Sequence, residues 1–341
     1  MFYKLAQKAL FSTDPETAHE MTIEGLRLGH MLGATRLMCR ESNQPLTCMG
    51  LEFPNPVGVA PGLDKNGDCF EALGDLGFGF VEIGTVTPRP QPGNPKPRVF
   101  RLTEARAMIN RLGFNNKGVD HLVRRVRNHR FKGILGINIG KNFDTPIEKA
   151  ADDYLHCFDK VYPYADYITI NISSPNTKNL RELQGEDELN RLLARISERR
   201  SALSDQHGRR VPVAVKVAPD LEEIALPVVA DVIAQHGMDA VIATNTTLSR
   251  DGVQGLKHAD EAGGLSGAPL KPIADKVLAA FRSYLPGEIA LIGVGGITCG
   301  QDAVDKLDLG ADLVQFYTGM VYRGPELVNE CLRAIAKRKT A

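Results

Sequence analysis

From about residue 55 onward, short runs rich in Val and Ile alternate with longer stretches whose apolar residues recur every three or four positions. The runs are NPVGVAPG (55–62), FVEIGTVT (80–87), ILGINIG (134–140), YITINISS (167–174), VPVAVKVA (211–218), AVIATNTT (240–247), IALIGVGGI (289–297) and LVQFYTGM (313–320). Each run reads as a buried strand. The intervening segments, such as DELNRLLARISERRSAL and LKPIADKVLAAFRSYL, read as helices with one apolar face. Eight alternations over roughly 250 residues predict an α/β fold, a closed (β/α)8 TIM barrel, with an open doubly wound sheet as the alternative.

Residues 1–40 stand outside this pattern and are predicted to form an N-terminal two-helix extension to a barrel domain spanning 41–341. Phe2, Leu5, Ala6, Ala9 and Leu10 share one helical face, with Lys4, Gln7 and Lys8 on the other. Asp14 followed by Pro15 predicts the cap and first turn of a second helix carrying Met21, Leu28, Met31 and Leu32. Such a pair can pack on the barrel or lie in a membrane surface.

Polar residues sit at the same place on almost every predicted strand: Lys65 after the first, Thr85, Asn138, Asn171 with Ser174, Lys216, then Thr244, Asn245 and Thr246. A barrel gathers the carboxyl ends of its strands around one mouth, so these residues predict one site. Two longer segments are placed to cover it. The five-proline stretch TPRPQPGNPKPRVFRL (87–102) predicts an extended excursion with sparse pairing, followed by AMINRLGFNN as a loop over the mouth; SPNTKNLRELQGED predicts a lid.

Composition narrows the chemistry. Lys plus Arg equals Asp plus Glu at 41 each, so no net field recruits nucleic acid. The cysteines at 39, 48, 69, 157, 299 and 331 show neither metal-ligand nor disulfide spacing, and no metal is expected. No apolar run reaches the ~20 residues needed to span a bilayer, and Lys4 and Lys8 interrupt any signal-peptide core.

Glycine clusters GGLSG (263–267), GVGGI (293–297) and YTGM (317–320) late in the barrel predict a phosphate site, because glycine lets backbone N–H groups approach an anion. The mouth is poor in carboxylates. Asp64 is one candidate, although it adjoins Lys65 and can simply pair with it. The excess of carboxamides and hydroxyls suits a neutral ring with amide edges, and Lys216 in a strand supplies a fixed charge of the kind that stabilises a reduced flavin. FMN satisfies both clues.

The strings APGLDKNG, EIGTVTPRPQPGNPKPRVFRL, INRLGFNN, GINIGKN, INISSPNT, VKVAPD, IATNTT, GGLSG and IGVGGI occur in order through nearly the whole chain. Together they resemble dihydroorotate dehydrogenase in its class 2, membrane-associated, quinone-reducing form. The resemblance implies FMN contacts at Pro61, Gly62, Leu63, Asp64, Lys65, Thr85, Asn138, Asn171, Lys216, Thr244, Gly267, Gly296, Tyr317 and Thr318. It implies dihydroorotate contacts at Lys65, Asn110, Arg111, Leu112, Gly113, Phe114, Asn171, Asn176, Asn245 and Thr246, with Ser174 as the base. Pro61 and Thr318 stand where the family commonly has Ala and Ser.

By the same resemblance, dihydroorotate is oxidised to orotate by loss of a proton from C5 and a hydride from C6. A membrane quinone then enters between the two N-terminal helices, past His19, Arg101 and Tyr317. His19 can also cap its helix, and Arg101 can also pair with a carboxylate. The resemblance further implies a monomer in peripheral contact with a membrane, on the cytoplasmic face of the inner membrane in a bacterium. Three rivals are an FMN reductase acting on another uracil-like ring such as a uridine in RNA, an FMN-binding module without turnover, and a class 1 enzyme using fumarate or NAD. Zero net charge opposes the first; Ser174 and Lys216 oppose the second; the helical extension and Ser174, where class 1 relatives carry Cys, oppose the third.

Overall fold

The chain's computed structural model describes residues 2–38 and 43–338, with the side chains of Phe2, Lys4 and Leu5 outside that description. The expectations placed on those three side chains and on Cys39 therefore lie outside the described residues. The eight apolar runs contain strands β1 (Val57–Val59), β2 (Phe80–Val86), β3 (Ile134–Ile139), β4 (Tyr167–Asn171), β5 (Val213–Val217), β6 (Ala240–Ala243), β7 (Ala290–Val294) and β8 (Leu313–Phe316). Each pairs in parallel with its neighbour in sequence, and β8 pairs with β1, so the sheet closes. Closure removes the open-sheet alternative. It also explains the near-continuous apolar runs, since a strand with helices outside and a packed barrel inside has no wet face.

The interior is filled by large residues set against glycine. Phe80 and Tyr167, the first residues of β2 and β4, are fully buried. A Cβ on Gly58 would lie 2.4 Å from the Phe80 ring, and one on Gly136 would lie 2.2 Å from the Tyr167 ring. A hairpin of Leu46–Cys48 and Leu51–Phe53 closes this amino-terminal end, with Phe53 edge-on to Phe80 at 5.3 Å. The opposite end stays open to the polar residues at the strand termini.

The segment AMIN is a strand, not the loop its polar tail suggested. Ala107–Asn110 runs between Val99–Leu102 and Gly264–Gly267 in a three-stranded antiparallel sheet beside the mouth. The cause is period-two burial: Phe100, Leu102, Ala107, Ile109 and Leu265 build a small core of their own. GGLSG is accordingly mostly strand rather than a free turn. Gly267 is needed for close approach, because a Cβ there would stand 2.3 Å from the Arg106 carbonyl oxygen.

Helices α1 (Phe2–Phe11) and α2 (Pro15–Met31) precede the barrel. Asp14 caps α2 as expected, its carboxylate accepting the N–H groups of Glu16 and Thr17, each at 3.0 Å. Tyr3 and Gln7 fasten α1 to the carbonyls of Val321 and Tyr322 at 2.7 and 2.8 Å. In α2 it is Ala18, Ile23 and Leu26 that pack inward. Met21, Leu28, Met31 and Leu32 turn outward and are 56–78% exposed. No described helix is long and apolar enough to cross a membrane.

Candidate active site

One cavity of about 1190 Å³ joins the barrel mouth to the space beneath α1 and α2. The barrel contributes Pro61, Gly62, Leu63, Asp64 and Lys65 after β1, Thr85 of β2, and Asn171, Ser174 and Asn176 at and after the end of β4. It also contributes Lys216 of β5, Thr244, Asn245 and Thr246 after β6, Gly267, Gly296 after β7, and Tyr317 and Thr318 after β8. Asn110, Leu112, Gly113 and Phe114 close the side, while His19 and Arg101 line the part near the helices. Two expected site residues stand behind the wall. Arg111 turns outward to Glu261 at 2.7 Å and lies over the Phe100 ring, and Asn138 is fully buried in the barrel.

Asn138 belongs to a hydrogen-bonded network under the cavity floor. Its Nδ2 donates to Glu82 Oε1 at 2.7 Å, and its Oδ1 accepts the Thr85 hydroxyl at 2.5 Å and Asn171 Nδ2 at 3.1 Å. Glu82 Oε2 accepts Tyr167 Oη at 2.8 Å and Gln315 Nε2 at 2.7 Å. Sequence reading passed over Glu82. The signal was present, since a carboxylate inside the apolar run FVEIGTVT must be satisfied internally.

Lys65 and Lys216 both enter the cavity wall, and neither ammonium hydrogen-bonds protein among the described residues. Burial lowers the Lys65 amine to about 8, against the opposing pull of Glu16. Burial also lowers Lys216, against the opposing charge of Glu82. Two buried cations without hydrogen-bond partners make the cavity a receptor for anions. Asp64 does not hydrogen-bond Lys65: its carboxylate accepts the N–H groups of Asp68 and Cys69 at 2.8 and 2.7 Å and so braces the loop after β1.

The carboxamides converge as the strand ends predicted. Asn176 Nδ2 donates to the Asn110 carbonyl at 3.0 Å, and Asn245 Nδ2 donates to Ser173 Oγ at 2.9 Å. Ser174 is 6% exposed; its Oγ accepts the Asn176 N–H at 3.3 Å and donates to no protein acceptor among the described residues. Three positions further along the same loop, Thr177 Oγ1 is buried without a hydrogen-bond partner among the described residues.

Near the helices the His19 and Tyr317 rings lie 6.4 Å apart. Burial, helped by the Lys65 charge, pushes the His19 imidazole down to about 3, so it is neutral at ordinary pH. His19 lies in the second turn of α2, where it does not cap. Arg101 pairs with no carboxylate among the described residues: its guanidinium donates to the carbonyls of Leu10, Phe11 and Thr13 at 3.3, 3.3 and 2.9 Å, closing the end of α1. Its buried Nε has no hydrogen-bond partner among the described residues, while other parts of the Arg101 side chain line the cavity.

Residues 45–338 match the family model described as dihydroorotate dehydrogenase. The chain is 57% identical over 335 residues to the dihydroorotate dehydrogenase (quinone) of Azotobacter vinelandii, covering 98% of this chain and 96% of that protein. It is 58% identical over 339 residues to the dihydroorotate dehydrogenase (quinone) of Bordetella pertussis strain Tohama I, covering 98% and 97%. The crystal structure of the Eimeria tenella dihydroorotate dehydrogenase (DHODH) in complex with ferulenol superposes with a TM-score of 0.89 at 36% identity, over 96% of this chain and 92% of that one. A closed parallel barrel with this helical extension, matched at that identity over nearly its full length, belongs to the dihydroorotate dehydrogenase family, in its class 2 branch.

Proposed function

We propose that the chain oxidises (S)-dihydroorotate to orotate within de novo pyrimidine (UMP) synthesis, using one FMN and a membrane quinone as final acceptor. The observation that carries this reading is the single cavity shared by Ser174, Lys65 and the carboxamides at one end and by α1 and α2 at the other. The residues fit FMN: Lys216 offers an ammonium with no hydrogen-bond partner among the described residues, Thr85 and Asn171 offer polar edges, and Gly267 and Gly296 line the wall where a phosphate would lie. Bound there, FMN supplies a hydride acceptor at N5 for the C6 hydrogen and a two-electron donor to quinone.

The chain's own residues do the rest. Lys65 binds the substrate carboxylate, and Asn110, Asn171, Asn176 and Asn245, with Thr246, match the donors and acceptors of the pyrimidine ring. Leu112, Gly113 and Phe114 wall the ring. Ser174 Oγ takes the proton from C5. A serine hydroxyl is a weak base, so its own proton must leave as the new O–H bond forms. Thr177, whose hydroxyl has no partner among the described residues, is the chain's candidate relay, taking that proton as it passes its own on to solvent water. The low exposure of Ser174 limits competing protonation by solvent.

His19, Arg101 and Tyr317 bound the quinone end. Residues 1–40 form the quinone-access and membrane-contact segment, and 41–341 the catalytic barrel. The outward Met21, Leu28, Met31 and Leu32 provide the apolar contact of a monomer held peripherally at a membrane, the cytoplasmic face of the inner membrane in a bacterium. The test is an anaerobic absorbance spectrum of the purified protein before and after dihydroorotate, then with a soluble quinone. Flavin bands that bleach with substrate and return with quinone are expected. A protein that stays colourless when given FMN would overturn the reading.

A further inference from the structure

We propose that Glu82 is a positioning residue that fixes the orientation of the Asn138 carboxamide and, through it, the direction of the hydrogen bonds among Asn138, Thr85 and Asn171 beneath the ligands. The proposal rests on the reading of the cavity as an FMN and dihydroorotate site.

An ionised carboxylate only accepts. Glu82 accepts three donors inside the barrel, and Asn138 must therefore turn its NH2 toward it and its oxygen toward the mouth. That oxygen takes the single Thr85 proton at 2.5 Å, leaving Thr85 Oγ1 to accept Asn171 Nδ2 at 2.9 Å. Asn171 Oδ1 is thereby aimed at Ser173, accepting its N–H at 3.3 Å and its hydroxyl at 3.1 Å. With its proton committed, Ser173 Oγ accepts Asn245 Nδ2 at 2.9 Å, and Asn245 Oδ1 accepts the Thr246 N–H at 2.8 Å.

The polarity of the Asn138 amide on β3 thus follows from one acid on β2 and agrees with that of Asn171 on β4 and Asn245 after β6, whose oxygens also accept the Ser173 and Thr246 N–H groups. A carboxamide can be turned over at no cost in shape, and the Asn138 side chain meets only side-chain partners among the described residues, so without an acceptor-only group beside it Asn138 could run its hydrogen bonds in either direction. A cavity that matches amide edges needs one direction. Glu82 also supplies the opposing charge on Lys216, which places the acid in the electrostatics of the same floor.

The test exchanges acid and amide across the Glu82–Asn138 bond. Asn138→Asp sets two carboxyls at the distance of one hydrogen bond, so the pair must share a proton that it loses as pH rises. The other titratable groups facing the pair are Tyr167 from β4, Lys216 from β5 and, behind Tyr167, Cys48 of the hairpin. In the double variant E82Q/N138D, the amide now on β2 donates to the carboxylate now on β3 and still accepts Tyr167 and Gln315. That carboxylate in turn accepts Thr85 and Asn171 as the Asn138 oxygen did.

FMN dissociation constants and urea midpoints of the FMN-free proteins are measured from about pH 6 to about pH 9. For N138D, FMN affinity is expected to fall about tenfold or more as pH rises, with a falling midpoint; the double variant is expected to be flat with pH and within about fivefold of the unsubstituted protein. If N138D does not fold and the double variant does, the coupling is likewise shown. N138D matching the unsubstituted protein across the range, or a double variant weaker than N138D, would overturn the proposal. Failure of the unsubstituted protein to bind FMN would instead overturn the FMN reading, while the urea midpoints still judge the Glu82–Asn138 bond by itself.

Discussion

Glu16 of α2 and Arg98 of the proline-rich excursion, 82 positions apart, form a buried ion pair. Arg98 Nη2 donates to Glu16 Oε1 at 2.6 Å, and its Nε lies 3.2 and 3.1 Å from the two carboxylate oxygens. The remaining Arg98 nitrogen holds the carbonyls of Pro92 and Asn94 at 2.6 and 2.7 Å. Asn94 in turn donates to the Arg111 carbonyl at 2.8 Å and approaches that of Asn176 at 3.4 Å. One ion pair thus ties the helical extension to the loops that border the substrate end.

Removing one partner of such a pair leaves a buried charge uncompensated. Glu16→Gln is expected to destabilise the chain by about 3 kcal/mol, seen as a lower urea midpoint, with α2 protected less from hydrogen exchange. Burial raises the Glu16 carboxyl, but hydrogen bonds and charge from Arg98 outweigh it, and the net shift is downward. A carboxyl lowered in the folded state stabilises above its unfolded value and loses that stabilisation as pH falls through the folded value. Acid should therefore loosen α2 in the natural protein and leave the Gln variant unchanged in this respect.

Ser174→Ala should leave FMN bound and slow flavin reduction by dihydroorotate about 100- to 10,000-fold in anaerobic stopped flow, the range for losing a positioned base. Reduction near the natural rate would remove Ser174 from that role.

Lys65→Met should raise the dihydroorotate dissociation constant about tenfold to a hundredfold, the loss of a charge-assisted hydrogen bond. Because burial lowers Lys65 to about 8, the ammonium is present below that pH and lost above it. Affinity for dihydroorotate should accordingly weaken as pH rises through about 8, and the Met variant should not show this step.

His19 is held neutral by burial and by Lys65, at about 3. Flavin reoxidation by quinone should show no step near the ordinary histidine value of about 6.5. His19→Ala should raise the quinone KM and leave dihydroorotate-driven flavin reduction intact, measured as separate half-reactions.

Replacing Met21, Leu28, Met31 and Leu32 together by Ser should reduce co-sedimentation with lipid vesicles, because these side chains are exposed and not part of the core. Deleting residues 1–40 should abolish quinone turnover while single-turnover flavin reduction persists at a reduced rate, since Arg98 loses Glu16. Equal loss of both would assign the helices a structural role only.

Much of this was open to reading in the chain. The apolar runs located all eight strands, because a buried parallel strand has to be apolar on both faces, and Asp14–Pro15 marked the start of α2. The AMIN strand was hidden because its ladder partners are Val99–Leu102 on one side and Gly264–Gly267, more than 150 positions later, on the other. The outward face of α2 was equally hidden, since periodicity reports that an apolar stripe exists and not which surface receives it.

The sequence by itself determined the barrel, the ring of polar strand ends and the residue types available at the mouth, because strand period and burial are written locally. The tertiary structure alone decided which of those groups face the cavity and which stand behind it, with Arg111 turned to Glu261 and Asn138 buried over Glu82, and it alone committed the Asp64 carboxylate to its own loop. It alone decided the pairing of Glu16 with Arg98. The physical reason is that a side chain's direction and hydrogen-bond partners depend on contacts between elements distant in sequence, and those contacts exist only once the barrel has closed.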